Sequence, residues 1–170
     1  AKTPRRDLPA LRRRIGVVFQ DFRLLKNLSV FDNVALPLRI AGEDEKRARK
    51  NVSELLDWVG LGGRLQDSPD TLPGGEQQRV AIARAVMKRP EVIILSEATV
   101  ILESASRLRI LNNILQEFTG RGVVWSLHRA SDAERFAHVL VMKNGRVLEN
   151  GDFTSVNKEG TAFKELMDNG

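Results

Sequence analysis

Apolar residues fall at helical spacing through the first half of this chain and in short unbroken runs through the second. The first run, Ile15-Gly16-Val17-Val18-Phe19, predicts a buried strand that ends at Gln20-Asp21. The basic, proline-containing residues before it, 1–14, read as a loop or fraying end. Ser29 is an N-cap for a helix from Val30 to about Ile40, bent or ended near Pro37. Residues 43–59 form the clearest helix, with Ala48, Val52, Leu55, Leu56 and Val59 on one face. Gly60 and Gly62-Gly63 stop it. The next helix opens at a diglycine and runs to about Lys88, closed by Arg89-Pro90.

From there strands and helices alternate. Val92–Leu95 reads as a strand, and 104–118 as a helix with Leu108, Leu111, Leu115 and Phe118 inward. Gly122–Leu127 is a strand and Ser131–Phe136 a short helix. Val139–Lys143 and Arg146–Leu148 pair through Asn144-Gly145, a strong hairpin turn. A small helix, about 160–168, follows. The alternation predicts an α/β fold with a mostly parallel sheet, carrying an all-helical subdomain over about 21–90.

Composition narrows the class. The chain has 170 residues, 42% hydrophobic and 29% charged, enough for one core or one core plus a satellite. The longest purely aliphatic run is Val92-Ile93-Ile94-Leu95, far too short to span a bilayer. The first residues carry no signal-peptide pattern. Without cysteine there are no disulfides and no cysteine metal sites, which fits a cytosolic setting. The net charge of +5 is local: Arg5-Arg6, Arg12-Arg13-Arg14 and the Lys46–Lys50 run supply much of it. The last run follows Glu43-Asp44-Glu45 and reads as a solvated helix face.

The richest chemistry lies in Leu72-Pro73-Gly74-Gly75-Glu76-Gln77-Gln78-Arg79. Its glycines open a helix, where unpaired amides and the positive dipole end attract anions. Glycine lets a phosphate approach that backbone closely. The usual companion, a glycine-rich loop ending in Gly-Lys-Ser/Thr, is absent, and no Gly-Lys pair occurs in the chain.

Taken in order, these residues form a pattern: a strand ending in Phe19-Gln20, a helical insert, Leu72–Arg79, then Val92-Ile93-Ile94-Leu95-Ser96-Glu97, then Leu127-His128. This order resembles the nucleotide-binding domain of ATP-binding cassette (ABC) transporters, over nearly the whole chain from about residue 11. Phe19–Leu25 and Val30–Leu38 look most like the branch that contains the cell-division ATPase FtsE and the lipoprotein-release and methionine-import ATPases. The resemblance implies a P-loop NTPase-like sheet whose N-terminal Walker A part is absent here. It divides the chain into 1–20, the end of a core lobe; 21–90, the helical subdomain with the signature motif; and 91–170, the rest of the core lobe.

The resemblance also assigns roles. Gln20 matches the Q-loop glutamine, which touches metal and water and senses a membrane partner. An amide can do both, as acceptor and donor. Leu72, Pro73, Gly74, Gly75 and Glu76 match the signature motif that clamps the γ-phosphate of ATP held by an opposite subunit. Pro73 replaces its serine, so one hydroxyl donor is lost. Glu97 matches the general base. Ser96 stands where an aspartate serves Mg²⁺, and a hydroxyl attracts a hard divalent cation far less than a carboxylate does. Ala98 and Val100 replace the usual proline and glycine. Glu103 replaces the D-loop aspartate. His128 matches the switch histidine, with Arg129 where an acid is common. His138 reads as surface, and Trp58 and Trp125 as packing.

Only 19 residues precede Gln20, and none fits the Walker A nest and lysine that hold the β- and γ-phosphates. The expectation is therefore an ATP-binding subunit, or its C-terminal fragment, that is inactive alone. Truncation explains the missing loop; Pro73, Ser96 and Ala98 instead suggest a degenerate partner. Implied cofactors are ATP and Mg²⁺, in a composite site. Implied partners are a permease-like integral membrane subunit and another ABC ATPase domain, as homo- or heterodimer, on the cytoplasmic face of the membrane. Two alternatives are a non-catalytic regulatory or scaffold domain, and the head of a DNA-acting ABC ATPase. Glu76 suits the latter, but Gln77–Ala81, Phe31–Leu38 and the lack of heptads oppose it, so no nucleic acid is expected.

Overall fold

Three short apolar runs pair side by side in parallel. β1 (Ile15–Val18), β2 (Val92–Ser96) and β3 (Gly122–Ser126) lie in that order, with Val18 opposite Leu95 and Leu95 opposite Trp125. The computed structural model describes residues 4–98 and 100–168. The chain divides into one unit up to Ser126 and another from Leu127.

In the first unit, α1 (Leu8–Arg14) precedes β1, and α2 (Val30–Ile40), α3 (Glu45–Trp58) and α4 (Gly74–Met87) lie between β1 and β2. α5 (Ser104–Glu117) makes the β2–β3 crossover. Side chains alternate across a strand, so Val18, Ile93 and Leu95 share one sheet face. They pack with Ala81, Ile82, Ala85 and Val86 of α4 and with Ile110, Ile114 and Phe118. On the other face Val17, Ile94 and Val124 stand in register, with Val17 and Val124 exposed.

α2 begins where its cap predicts. Ser29 Oγ accepts from Asp32 N at 3.0 Å and donates to the Asp32 carboxylate at 2.7 Å. The helix continues through Pro37 to Ile40 rather than ending there. α3 is capped by Asp44, which accepts from the amides of Lys46 and Arg47. It closes at Gly60, whose φ of 74° costs a glycine little. Together α2, α3 and α4 bury Val30, Phe31, Val34, Val52, Leu56 and Val80 in one cluster.

The Asp32 pair gives a pH expectation. The Ser29 hydroxyl, and then Arg39 at 2.8 Å, hold the Asp32 carboxyl below its ordinary range. A depressed carboxylate stabilises the fold above its unfolded pKa, about 3.9, and loses that contribution as pH falls through the lower folded value. Urea midpoints for Asp32→Asn are expected to fall less steeply below about pH 4 than those of the parent; equal slopes would refute this.

Three expectations are corrected. Residues 8–14 are helical rather than loop or fraying end, after a 3-10 turn at Arg5–Asp7. Lys88 donates to Ile15 O at 2.7 Å and also to Arg12 O, and Arg14 pairs with Glu91. These long-range contacts hold a helix whose own apolar stripe is thin. Residues 1–3 lie outside the described residues. In α5 the buried face is Arg107, Ile110, Leu111 and Ile114, while Leu108 and Leu115 are half-buried. At 131–136 the helix is a 3-10 segment, Ala130–Arg135.

In the second unit β4 (Val139–Lys143) and β5 (Arg146–Gly151) pair antiparallel. Asn144 and Gly145 both have positive φ, the condition of a type I′ turn. α6 (Phe153–Val156) and α7 (Ala162–Asp168) follow. The Glu149 carboxylate accepts from the amides of Ala162 and Phe163, capping α7 from the hairpin. Ala133, Val139, Val141, Val156 and Phe163 form this unit's core. His138 is exposed and bonds Asn150. Among the described residues no helix is long and apolar enough to cross a membrane.

Candidate functional site

Parallel register brings the ends of β1 and β2 together. With Val18 opposite Leu95, the residues just beyond are Phe19-Gln20 and Ser96-Glu97. Gln20 and Ser96 line one cavity of about 420 Å³ with Phe19, Asp21 and Arg23. Glu97 is exposed and holds φ at 48°, left-handed for a residue with a side chain. Such backbone costs of order 1 kcal/mol and persists where surroundings enforce it. Here Glu97 N donates to Ser126 Oγ at 2.8 Å.

The donor set of this cavity does not fit Mg²⁺ unaided. It offers an amide oxygen, a hydroxyl and the Asp21 carboxylate, which already pairs with Arg23 at 3.2 Å. Among the described residues no cluster of three or more His, Asp or Glu side chains can hold a metal. Magnesium is bound through carboxylates, waters and substrate phosphates, and the neutral Ser96 hydroxyl and Gln20 amide supply no such charge.

The diglycine stands at the head of α4. Leu72 is buried; Pro73 is the N-cap residue and makes no side-chain cap, and Gly74 is exposed. Pro73 O accepts from the amides of Glu76 and Gln77, and Gln77 Nε2 bonds Leu72 O at 2.9 Å. Glu76 sits between Arg64 and Arg79 at 3.5 and 3.8 Å. A methyl added at Gly74 would lie 3.4 Å from Ile101 Cδ1, and one at Gly75 would lie 3.5 Å from Ile101 O. These are ordinary contacts, so packing does not demand either glycine.

The same contacts bring residues 101–102 beside the head of α4. Glu103, exposed, follows them as the N-cap residue of α5, with no side-chain cap. His128 is exposed and belongs to the second unit. Trp58 and Trp125 pack against the core cluster of the sheet.

Sequence reasoning missed two residues. Arg84 of α4 donates to Phe22 O at 2.9 Å and to Arg23 O at 2.8 Å. Asn33 of α2, fully buried, accepts from Leu25 N at 2.8 Å and donates to Leu25 O at 2.9 Å and Ser29 O at 3.0 Å. Both hold the segment after Gln20 through its backbone. Burial lowers the Arg84 pKa from its ordinary value. An Asn beside the Ser29 cap was the only available signal.

Known proteins align with this geometry. The family described as ABC transporter matches residues 1–100. The chain is 36% identical over 151 residues to the cell division ATP-binding protein FtsE of Streptococcus pneumoniae, covering 88% of this chain and 66% of that protein. It is 39% identical over 155 residues to the methionine import ATP-binding protein MetN 1 of Staphylococcus epidermidis, covering 89% and 45%. The chain therefore spans from under half to about two thirds of these relatives. The dimeric ATP-binding cassette MJ0796 bound to ADP and Pi superposes with a TM-score of 0.82 at 32% identity, covering 89% of this chain and 68% of that one.

Proposed function

The chain belongs to the ABC transporter family, and from that premise we propose that it supplies half of a composite ATP site, presenting Gly74 and Gly75 to nucleotide held by a second ABC ATPase domain. The observation that carries this reading is a helix head whose two glycines are not required by packing. Its amides can receive phosphate oxygens. Pro73 removes a hydroxyl donor but keeps the helix entry. Glu103, close behind residues 101–102, faces the same partner.

The other half-site, built on Gln20, Ser96 and Glu97 of the first unit, is degenerate. Glu97 keeps a carboxylate for a water proton, yet Ser96 does not support Mg²⁺. The chain alone neither holds ATP tightly nor hydrolyses it. Residues 21–90 form the helical subdomain that meets a membrane permease-like partner, and 1–20 and 91–170 belong to the core lobe. The chain works at the inner face of the cell membrane, coupling a partner's ATP cycle to transport or to a cell-division type complex. The names of the FtsE and MetN relatives and the dimeric state of MJ0796 support this reading.

Two measurements test it. Titration of MgATP into the 170-residue chain is expected to show no micromolar binding; micromolar affinity overturns the inactive-alone claim. Gly75→Ala is expected to leave the urea midpoint unchanged or raise stability by up to about 1 kcal/mol, since alanine is the better helix former. The same variant is expected to weaken ATP-dependent association with a competent FtsE-type ATPase at least tenfold. Unchanged association would sink the composite-site reading.

A further inference from the structure

We propose that Arg84 is a positioning residue that ties the segment after Gln20 to the helix headed by Gly74. The role it gives Gln20 rests on the reading above; the mechanical tie itself does not. The segment from Phe22 to Leu25 has unusual backbone: Phe22 and Arg23 carry φ of 57° and 49°. Two consecutive left-handed residues with side chains are unfavourable, so the segment needs a hold from outside.

The Arg84 guanidinium supplies it. One Nη donates to Arg23 O and the other to Phe22 O, two successive carbonyls met by one rigid planar fork. A lysine ammonium is a point donor on a flexible stem and cannot reproduce both bonds at fixed geometry. Asn33 closes the far side of the segment through Leu25, and its Oδ1 lies 3.5 Å from Arg84 Nη1. Arg23 in turn lies over the Phe19 ring at 3.8 Å and pairs with Asp21. The residues flanking Gln20 on both sides thus belong to one connected set.

Arg84 lies ten residues beyond Gly74, about 15 Å along the helix. An α-helix moves as a rod, so a shift of α4 at its glycine head reaches Phe22 and Arg23 through this fork. Gln20 cannot keep its place at the Ser96 cavity while α4 moves independently. That ties the two candidate halves of the chain's site to one element.

Amide hydrogen exchange on the 170-residue chain tests the tie without nucleotide, so its outcome is separate from that of the ATP reading. In Arg84→Met, amides of Phe22, Arg23, Leu25 and Leu28 are expected to exchange at least tenfold faster. Amides of β2, β3 and α5 are expected to keep their rates. Arg84→Lys is expected to fall between parent and Arg84→Met. Should Arg84→Met fail to fold, Arg84→Gln, which keeps a donor but cannot span both carbonyls, replaces it with the same expectation. Parent-like exchange in the folded variant overturns the proposal. So does a uniform rise across the whole unit, which would mark Arg84 as general stability only.

Discussion

Asn33→Ala is expected to cost about 3 kcal/mol, read as a lowered urea midpoint at unchanged m-value. The side chain touches no water in the folded unit and uses both ends. Its oxygen accepts from Leu25 N, and its nitrogen faces Leu25 O, Leu28 O and Ser29 O at 2.9, 3.3 and 3.0 Å. Alanine removes every one of these partners at once. Leu28 N still reaches Leu25 O, and the rim of the segment can recruit water. Those remedies keep the estimate at about 3 kcal/mol rather than the sum of four lost bonds.

The charge variant separates hydrogen bonding from packing. Asn33→Asp keeps the shape but sets a carboxylate against three carbonyl oxygens. Arg84 Nη1, 3.5 Å from Oδ1, offsets part of that repulsion. The introduced carboxyl is expected to have a raised pKa, so the folded state takes up a proton that the unfolded state releases. Its contribution is then greatest at low pH and is lost as pH rises through the folded value. A midpoint for Asn33→Asp that rises with pH would reverse the assignment of donor and acceptor to this side chain.

What was legible in the sequence was local. Ser29 announces α2 because a hydroxyl at that position can only help if a helix follows it. The Ala48–Val59 stripe announces α3, and Asn144-Gly145 the hairpin. The diglycine was legible because it opens an unbroken helical pattern, and the strand-end order Gln20, Ser96, Glu97 because it follows apolar runs that a parallel sheet must bury. Shared cavity lining by Gln20 and Ser96 then follows from register alone.

What was not legible depends on contacts distant in the chain. α1 carries little apolar surface, and the bonds that hold it come from Lys88 and Glu91, more than seventy residues away. In α5, leucines and isoleucines offer two stripes one residue apart, and the sheet selects the one through Ile110 and Ile114. Arg84 and Asn33 escaped because their partners are main-chain carbonyls and amides, which leave no mark in the sequence. Glu97's left-handed backbone escaped for a related reason: glutamate gives no sign of that conformation.

Gly16→Val is expected to destabilise the first unit by about 3 kcal/mol, although valine is the better strand former. A Cβ at Gly16 would lie 2.9 Å from Pro90 Cγ and 3.2 Å from Ala85 O. The first neighbour is a buried ring and the second is helix backbone, so neither can turn aside as a flexible side chain would. The gain from strand preference is at most about 1 kcal/mol, smaller than the overpacking it meets. Relief requires β1 to retreat from the end of α4, where Lys88 bonds Ile15 O. Gly16→Ala takes the same direction at roughly half the size, because one methyl demands the least retreat. Retreat would also carry Gln20, two residues beyond β1, away from Ser96, with which it lines one cavity. Urea midpoints for both variants measure the packing cost, and exchange at Val18 and Phe19 measures the retreat. A parent-like midpoint for Gly16→Val would mean that β1 and α4 are not pressed together, and that the placing of Gln20 beside Ser96 rests on the loop alone.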